Sequence, residues 1–454
     1  MTLLDRDRLA VLLARERQSY VDANPRSAAA FASAQGSLFG GVPMTWMVKW
    51  SGGFPLYLDH ARGASISDVD GHTYVDFALG DTAAMAGHSP QATVLAVQDR
   101  VGVAGGITTM LPTADAEWVG AELQRRFGLP LWSFALTATD ANRWALRLAR
   151  MVTGRPKVLA FSYCYHGSVD ETVVISGPDG QTLARPGSVG PQVDPTQTTR
   201  VAEFNDLASV ESALAHGDVA VVITEPALTN IGIVLPEPTF LEDLRELCTR
   251  YGTLLLIDET HTFSAGPGGM TQLLGLRPDI LVIGKSIAGG IPIGAYGITR
   301  DIADAVTAHP EADLVDVGGV GGTLAGNALS MAAARATLGE VLTDSAFEHM
   351  IGLASRFTAG VQRALDGLDV PWSISQLGAR AEYRFARPAP RTGTESAAAG
   401  DDDLDELMHL YLLNRGILMT PFHNMALMCP DTTMADVDRH TEVFGQAVSE
   451  LFGP

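Results

Sequence analysis

The stretch Leu281-Val-Ile-Gly-Lys-Ser-Ile-Ala-Gly289 places one lysine directly after a short apolar run. An earlier apolar run, Leu254-Leu-Leu-Ile-Asp258, ends in an acid. Short runs of this kind are typical of strands that are buried on both faces of a parallel sheet. The sequence therefore predicts that Lys285 and Asp258 are presented at the ends of two buried strands.

An amine and a carboxylate in this arrangement are what pyridoxal phosphate chemistry requires. The lysine holds the aldehyde of the cofactor as a Schiff base, and the aspartate keeps the pyridine nitrogen protonated so that the ring draws electrons. The glycines at 284, 289 and 290 allow a cofactor to approach the backbone closely. We therefore expect an enzyme that uses pyridoxal 5'-phosphate, with Lys285 and Asp258 as its catalytic residues.

Further motifs surround this pair in a fixed order. They are Asp258-Glu259, Gly284-Lys285, Gly289-Gly290, Pro292-Ile-Gly-Ala295 and Gly322-Thr-Leu-Ala-Gly-Asn327. In order and spacing they resemble the core of class III aminotransferases, and the nearest likeness is to the branch that contains glutamate-1-semialdehyde aminomutase. The resemblance runs from about Gly40 to the C-terminus, and it implies an α/β fold of the type I pyridoxal-phosphate transferases.

Composition excludes several other classes of function. The chain has 454 residues, of which 46% are hydrophobic, and its net charge is −21. Such an acidic chain is a poor partner for nucleic acid or anionic membranes, because phosphate binding needs clustered Lys and Arg. The three cysteines lack a CxxC pair, so we expect no metal site and no disulfide framework. A charged N-terminus and the absence of a long apolar run favour a cytoplasmic enzyme.

The pattern along the chain predicts a large domain with a mainly parallel sheet and a smaller α+β domain. We expect residues 1–75 to form an N-terminal helix, over about the first 35 positions, and a small sheet belonging to the smaller domain. Alternating strand and helix patterns predict the large cofactor-binding domain over 76–333, and 334–454 form the C-terminal α+β domain. Thr239-Phe-Leu-Glu242 predicts a capping box for a helix that ends at Arg250. The Pro- and Gly-rich segment 387–403 is expected to be an exposed and mobile loop.

The resemblance also implies roles for residues around the pair. Thr137, Ala138 and Thr139 match the family's phosphate-binding loop at a helix N-terminus, although the family's glycine is replaced by Ala138. Thr323, after the glycine run Gly318–Gly322, matches a threonine that reaches the phosphate from the neighbouring subunit, which implies a homodimer with shared sites. The remaining cofactor-binding candidates are Tyr165, whose ring matches the family's stacking aromatic, and His166, Glu225, Asn230 and His261. At the position of His261 the family often has Gln or Met.

The implied reaction is a ping-pong transamination between a small-molecule amine and a keto acid such as pyruvate. At the place where the aminomutase branch carries a substrate-binding arginine, this chain has Trp46 and Met47. We therefore expect an apolar pocket wall that favours a primary amine with a hydrophobic substituent. Arg380, Arg384 or Lys49 would then bind the acceptor carboxylate. The alternatives are a glutamate-1-semialdehyde-type aminomutase, a racemase or epimerase, and a cofactor-binding protein without activity, because the scaffold alone does not separate them.

Overall fold

The computed structural model of the chain describes residues 3–188, 193–309 and 319–453. Gly318, the first glycine of the run before Thr323, lies outside these residues. In chain order, the helices are α1 (Arg6–Ala23), α2 (Pro25–Ala34), α3 (Gln91–Asp99), α4 (Ala114–Phe127), α5 (Ala138–Thr153), α6 (Leu207–Leu214), α7 (Phe240–Arg250), α8 (Gly269–Leu273), α9 (Arg300–Ala308), α10 (Ala328–Ala336), α11 (Asp344–Gly367), α12 (Gly393–Ala398), α13 (Asp402–Leu413) and α14 (Met434–Phe452). None of the described helices is long and apolar enough to cross a membrane.

The strands are short, as expected for a sheet whose strands alternate with helices. They are β1 (Leu58–Arg62), β2 (Ser65–Asp68), β3 (Thr73–Asp76), β4 (Leu131–Ala135), β5 (Lys157–Phe161), β6 (Val174–Ser176), β7 (Thr182–Ala184), β8 (Thr199–Ala202), β9 (Val219–Thr224), β10 (Leu254–Asp258), β11 (Ile280–Gly284), β12 (Gly294–Ile298), β13 (Ser373–Leu377), β14 (Arg380–Arg384), β15 (Ile417–Leu418) and β16 (Met425–Leu427).

The chain folds as two compact units. The smaller unit comprises Met1–Ser89, Glu348–Ala389 and Ala399–Pro454, and the larger unit comprises Pro90–Phe347 and Pro390–Ala398. The sequence had suggested boundaries near residues 75 and 333.

A seven-stranded sheet forms the centre of the larger unit, with strand order β4-β12-β11-β10-β9-β5-β8. The pairs β8–β5, β5–β9, β9–β10 and β10–β11 are parallel, whereas β12 runs antiparallel to both β11 and β4. Every residue of β9 and of β11 is buried, which explains their continuous apolar runs. The expected α/β fold with a mainly parallel sheet is confirmed.

The smaller unit contains a four-stranded sheet, β1-β2-β3-β15, and a three-stranded sheet, β13-β14-β16. Its N-terminal segment is two helices, α1 and α2, where the sequence had suggested one. The chain leaves the helical path at Asn24, and Pro25 then occupies the first turn of α2. Because proline has no backbone N–H to donate and its ring clashes with the preceding turn, a break at this position is expected.

The segment 390–398 is not an exposed loop, as the composition had suggested, but packs within the larger unit. Gly393 and Ser396 of α12 are buried, and the Ser396 hydroxyl donates to the Ile231 carbonyl at 2.5 Å. A Cβ on Gly393 would lie 2.1 Å from the Ser162 carbonyl oxygen. Glycine is therefore required here by the close approach of two backbones.

We predict that Gly393→Ala lowers the free energy of unfolding by about 1–3 kcal/mol, because the backbone at Ser162 must move to admit the methyl group. Chemical denaturation of the purified variant measures this change. Gly120→Ala in α4 is the matched control, since a Cβ there meets no atom within 4 Å and alanine favours the helix. Equal stability of the two variants would contradict the packed arrangement of α12.

Candidate active site

The parallel pairing of β10 with β11 brings the predicted acid and lysine to the same edge of the sheet. Asp258, the last residue of β10, is aligned with Val282 of β11, and the Glu259 N–H donates to the Val282 carbonyl at 2.8 Å. Lys285 follows β11 directly and adopts a left-handed backbone conformation, with φ of 51°. Such strain in a residue other than glycine is uncommon and is concentrated at functional sites.

Asp258 is the centre of a buried polar cluster. Its Oδ2 atom accepts hydrogen bonds from His166 Nδ1 at 2.9 Å and from Asn142 Nδ2 at 2.8 Å. Its Oδ1 atom accepts from the Thr260 backbone N–H at 3.0 Å. The side chains of Asp258 and His166 are almost completely inaccessible to solvent, with 3% and 0% exposure. The carboxylate is therefore fixed in orientation by three donors.

The two pKa values of this pair are displaced in opposite directions. Burial alone would raise the pKa of Asp258, but the hydrogen bond and charge of His166 outweigh it, so this pKa lies below its usual value. Burial alone would lower the pKa of His166, but Cys164 and the Asp258 carboxylate outweigh it, so this pKa lies above its usual value. The pair is consequently an ionised aspartate beside a protonated histidine.

His261 lies on the turn that follows Asp258. Its Nε2 atom is 2.7 Å from Nζ of Lys285, and its carbonyl accepts a hydrogen bond from the Ser264 hydroxyl at 3.0 Å. The structure thus brings Lys285 and His261 together as a pair of nitrogen bases within hydrogen-bond distance of each other.

The N-terminus of α5 lies beside the turn that carries His166. The Thr137 hydroxyl caps the helix by accepting from the Asp140 N–H at 3.1 Å, and the Thr139 hydroxyl accepts from the Ser168 N–H at 3.2 Å. Gly167 allows this approach, because a Cβ there would lie 2.0 Å from Thr139 Oγ1. The free N–H groups and dipole of a helix N-terminus favour an anion.

Asn230 and Glu225 follow β9, the strand next to β10 in the sheet. With its amide oxygen turned toward Arg185, Asn230 accepts from both guanidinium Nη atoms, at 3.0 and 2.7 Å. The buried Glu225 carboxylate accepts a hydrogen bond from the Thr229 hydroxyl. Tyr165 is half-buried in the turn between β5 and His166.

Thr323 lies apart from these contacts, on an exposed part of the larger unit. It lines a cavity of about 260 Å³ together with residues 108–112, 322 and 325–328. The side chains of Met110 and Leu111 beside it are 79% and 71% exposed.

The proposed substrate residues belong to the smaller unit. Trp46 packs edge-to-face against Phe422, with ring centroids 6.1 Å apart, whereas Met47 is exposed. Lys49 places its ammonium group 5.6 Å from the Trp46 ring and 5.3 Å from the Phe422 ring. Arg380 is fully buried, with Nη2 3.8 Å from a carboxylate oxygen of Glu382.

Two residues of this region were missed by the sequence reasoning. Asn142 donates to Asp258, and Arg185 binds Asn230, donates to the Cys164 carbonyl at 3.3 Å and lies over the Tyr163 ring. A signal existed for Asn142, because it is a polar residue on the apolar face of α5. Arg185 follows the short strand β7, and nothing in its local sequence indicates its partners.

The donor set fits pyridoxal phosphate. Lys285 offers a primary amine for the aldehyde, and Asp258 offers an ionised carboxylate for a protonated ring nitrogen. The N-terminus of α5, with the hydroxyl of Thr139, suits the phosphate dianion. These residues carry the chemical groups that the cofactor requires.

The family model described as aminotransferase class-III matches residues 47–448. The chain belongs to this family. Pyridoxal phosphate is its cofactor, in agreement with the sequence prediction and with a neighbour solved in complex with PMP.

Three of its relatives show the range of similarity. A glutamate-1-semialdehyde aminomutase from Pseudomonas aeruginosa PAO1, the one solved with PMP, is 47% identical over 99% of both chains, with a TM-score of 0.96. Glutamate-1-semialdehyde 2,1-aminomutase 2 of Brevibacillus brevis is 33% identical over 94% of this chain and 99% of its own. An omega-transaminase from Sphaerobacter thermophilus is 28% identical over 94% of this chain and 97% of its own, with a TM-score of 0.85.

These findings correct the expected function. The main prediction, transamination between a hydrophobic primary amine and a keto acid, was wrong, because the full-length relatives at 33–47% identity are named aminomutases. The expectation rested on Trp46 and Met47 replacing an arginine. The loss of one carboxylate contact does not determine the reaction, since another cation can bind the same group.

We predict that His166→Phe lowers the free energy of unfolding by about 3 kcal/mol near neutral pH, because it leaves the buried Asp258 carboxylate without its charged partner. The pKa of His166 is raised on folding, so its stabilising contribution is complete below the unfolded value of about 6.5. That contribution is lost as the pH rises through the folded pKa. The stability difference from wild type should therefore shrink at alkaline pH.

Denaturation curves of wild type and variant at a series of pH values measure this difference. His216→Phe, at an exposed histidine of the same unit, should show no such pH dependence. A His166→Phe effect that is constant with pH would show that packing, not charge, accounts for the loss.

Proposed function

We propose that the chain is a glutamate-1-semialdehyde 2,1-aminomutase, which moves an amino group between two adjacent carbons of one substrate. The observation that carries this proposal is full-length similarity, at 47% identity, to a protein of that name, against 28% to an omega-transaminase. The close pairing of Lys285 with His261, and of Asp258 with His166, is compatible with this reaction, as it is with transamination.

The reaction is an isomerisation. The substrate has an aldehyde at C1 and an amino group at C2, and the product, 5-amino-4-oxopentanoate, has the amine and the carbonyl exchanged. The molecular formula is unchanged, so neither a second substrate nor an external oxidant is consumed. One proton must be added at C1 and one removed at C2.

The residues are assigned as follows under this proposal. Bound pyridoxal phosphate supplies an electron sink that makes the C–H bond beside nitrogen acidic. Lys285 holds the cofactor covalently and, when released, carries the proton between the two carbons. Asp258, held ionised by His166, keeps the ring nitrogen protonated. The phosphate is bound at Thr137, Ala138 and Thr139, and the ring is bordered by Tyr165, Glu225, Asn230 and His261.

The substrate also carries a carboxylate, which needs a cation. Arg380, Arg384 and Lys49 were the sequence-based candidates. Arg380 is fully buried with Glu382 beside it. Lys49 is exposed and lies over two aromatic rings. We propose that one of Arg380, Arg384 and Lys49 binds the carboxylate, while Trp46 and Met47 border the carbon chain.

We predict that the purified enzyme, loaded with pyridoxamine phosphate, converts glutamate-1-semialdehyde to 5-amino-4-oxopentanoate without an added amine or keto acid. Substrate labelled with ¹⁵N should give product with the label retained at the new position over many turnovers. Product formation is followed by mass spectrometry.

The matched control is Lys285→Ala, which removes the amine that moves the protons and should lower turnover by on the order of 1,000-fold while the protein stays folded. Turnover that requires both an amine donor and a keto acid would contradict the aminomutase proposal.

We also propose that the active form is a homodimer in which Thr323 contacts the phosphate in the partner's site. The exposed apolar side chains of Met110 and Leu111 beside Thr323 support this, because contiguous exposed apolar surface marks protein interfaces.

We predict that two inactive variants restore activity when their subunits are mixed. Lys285→Ala lacks the amine, and Thr323→Trp blocks the phosphate contact in trans. In a hybrid dimer one site carries both lesions and the other carries neither, so random exchange should recover about a quarter of wild-type activity. Failure to recover activity after exchange has been verified by mass spectrometry would contradict shared sites.

A further inference from the structure

The contact between His261 and Lys285 is unusual in joining two nitrogen bases. Nε2 of His261 lies 2.7 Å from Nζ of Lys285, which is the distance of a strong hydrogen bond. His261 is buried, with 7% of the residue exposed, so water competes little for its imidazole. The interaction therefore depends on which of the two nitrogens carries the proton.

Only some protonation states of the Lys285 and His261 side chains are compatible with this contact. An ammonium group has only donors, and an imidazolium Nε2 is also a donor. If both were charged, two N–H groups would face each other at 2.7 Å, with like charges in a shielded site. The contact is consistent with an ammonium donating to neutral imidazole, or with an imidazolium donating to the neutral amine. Passing one proton across it interconverts these two states.

A neighbouring residue holds the backbone of His261 in place. The carbonyl of His261 is fixed by the Ser264 hydroxyl, at the start of the short helix 262–265. The carboxylates on adjacent elements have described donors of their own: Asp258 has His166, Glu259 has Thr271, and Glu225 has Thr229. Lys285 begins the short helix 285–288, and its Nζ contacts Nε2 of His261.

We propose that His261 is the proton partner of Lys285. When Lys285 must become a free amine, Nε2 takes the proton from its ammonium group, so that one N–H bond breaks at Nζ and one forms at Nε2. When Lys285 of the uncharged pair has removed a proton from carbon, that proton is shared with Nε2 and returns for delivery to the second carbon. The charge of the pair rises by one when the proton is taken from the first carbon, is unchanged by transfer between Nζ and Nε2, and falls by one on delivery. His261 acts as a positioning residue through Lys285.

The inference rests on the role assigned to Lys285 in the proposed function, but it holds for any reaction in which that amine moves a proton. It deepens the proposal for an isomerase in particular. Because the substrate must lose one proton and gain another without a second substrate, a local proton reservoir prevents exchange with solvent between the two steps.

The test compares His261→Gln and His261→Phe with wild type. Glutamine can still hydrogen-bond to Lys285 but cannot take a proton, whereas phenylalanine keeps a ring without nitrogen. We expect both variants to lose on the order of 100-fold in kcat. The inflection in the pH titration of the visible absorption of the bound cofactor should move by about one unit or more in both. His216→Gln, at an exposed histidine, should leave rate and titration unchanged.

The spectral titration needs no substrate, so it decides the role of His261 even if the enzyme does not isomerise glutamate-1-semialdehyde. A His261→Gln variant with the rate and the spectral titration of wild type would overturn the proposal, since a hydrogen bond to Lys285 alone would then suffice.

A second measurement covers the case in which the His261 variants fold poorly. In the enzyme labelled with ¹⁵N-histidine, the Nε2 resonance of a proton partner must shift between wild type and Lys285→Ala. If no histidine resonance with this behaviour is found, His261 does not exchange a proton with Lys285 and the proposal is wrong.

Discussion

The parallel pairing of β10 with β11 determines where the reactive groups of the larger unit lie. Both strands are buried along almost their whole length; β10 ends at Asp258, and β11 ends at Gly284, directly before Lys285. Asp258 is aligned with Val282, so the turn after β10 and Lys285 after β11 emerge side by side. Because side chains alternate across a sheet, a slip of one residue would turn Asp258 to the opposite face and separate it from its partners.

Burying the Asp258–His166 ion pair carries a desolvation cost that its hydrogen bonds must offset. Removing two charges from water costs several kcal/mol for each ion, and only close pairing with further hydrogen bonds offsets that cost. Asn142 and the Thr260 N–H supply those bonds at 2.8 and 3.0 Å. His166 comes from the turn after β5, and β9 lies between β5 and β10 in the sheet. The ion pair therefore spans the end of β9 and links two separate loops.

Much of this arrangement could be predicted from the sequence, because it depends on short-range patterns. The bounds of β9, β10 and β11 follow from apolar runs, and Lys285 and Asp258 follow from the residues at their ends. Predictions that depended on distant contacts were less successful. Composition identified residues 387–403 as a loop, but the buried position of Gly393 depends on Ser162, more than 200 residues earlier in the chain. No local sequence pattern indicates that two segments so far apart in the chain lie close together.

Local geometry also limited the predictions. Helix α7 spans the expected residues, yet Thr239 does not form the capping box, because its backbone is left-handed, with φ of 68°. Its hydroxyl donates instead to Asp243 at 2.8 Å. Likewise, the sequence shows that His261 replaces the residue that the family usually has at this position. Its contact with Lys285 could not be predicted, because it depends on the backbone path of two turns. A side chain's neighbours become predictable only when the backbone conformation is known.

The choice between aminomutase and transaminase differs in kind from these geometric questions. Both reactions need a lysine that moves protons, an acid at the ring nitrogen and a phosphate site, so the residues around Lys285 are common to both. They differ in whether the half-converted substrate leaves before its second half-reaction. That outcome depends on its dissociation rate relative to the proton transfers. A proton partner such as His261 speeds the transfers without new contacts to the substrate, and so favours completion of the isomerisation. Whether isomerisation or transamination results therefore depends on how long the substrate is retained and how fast protons are transferred. The cofactor-binding residues alone do not determine it.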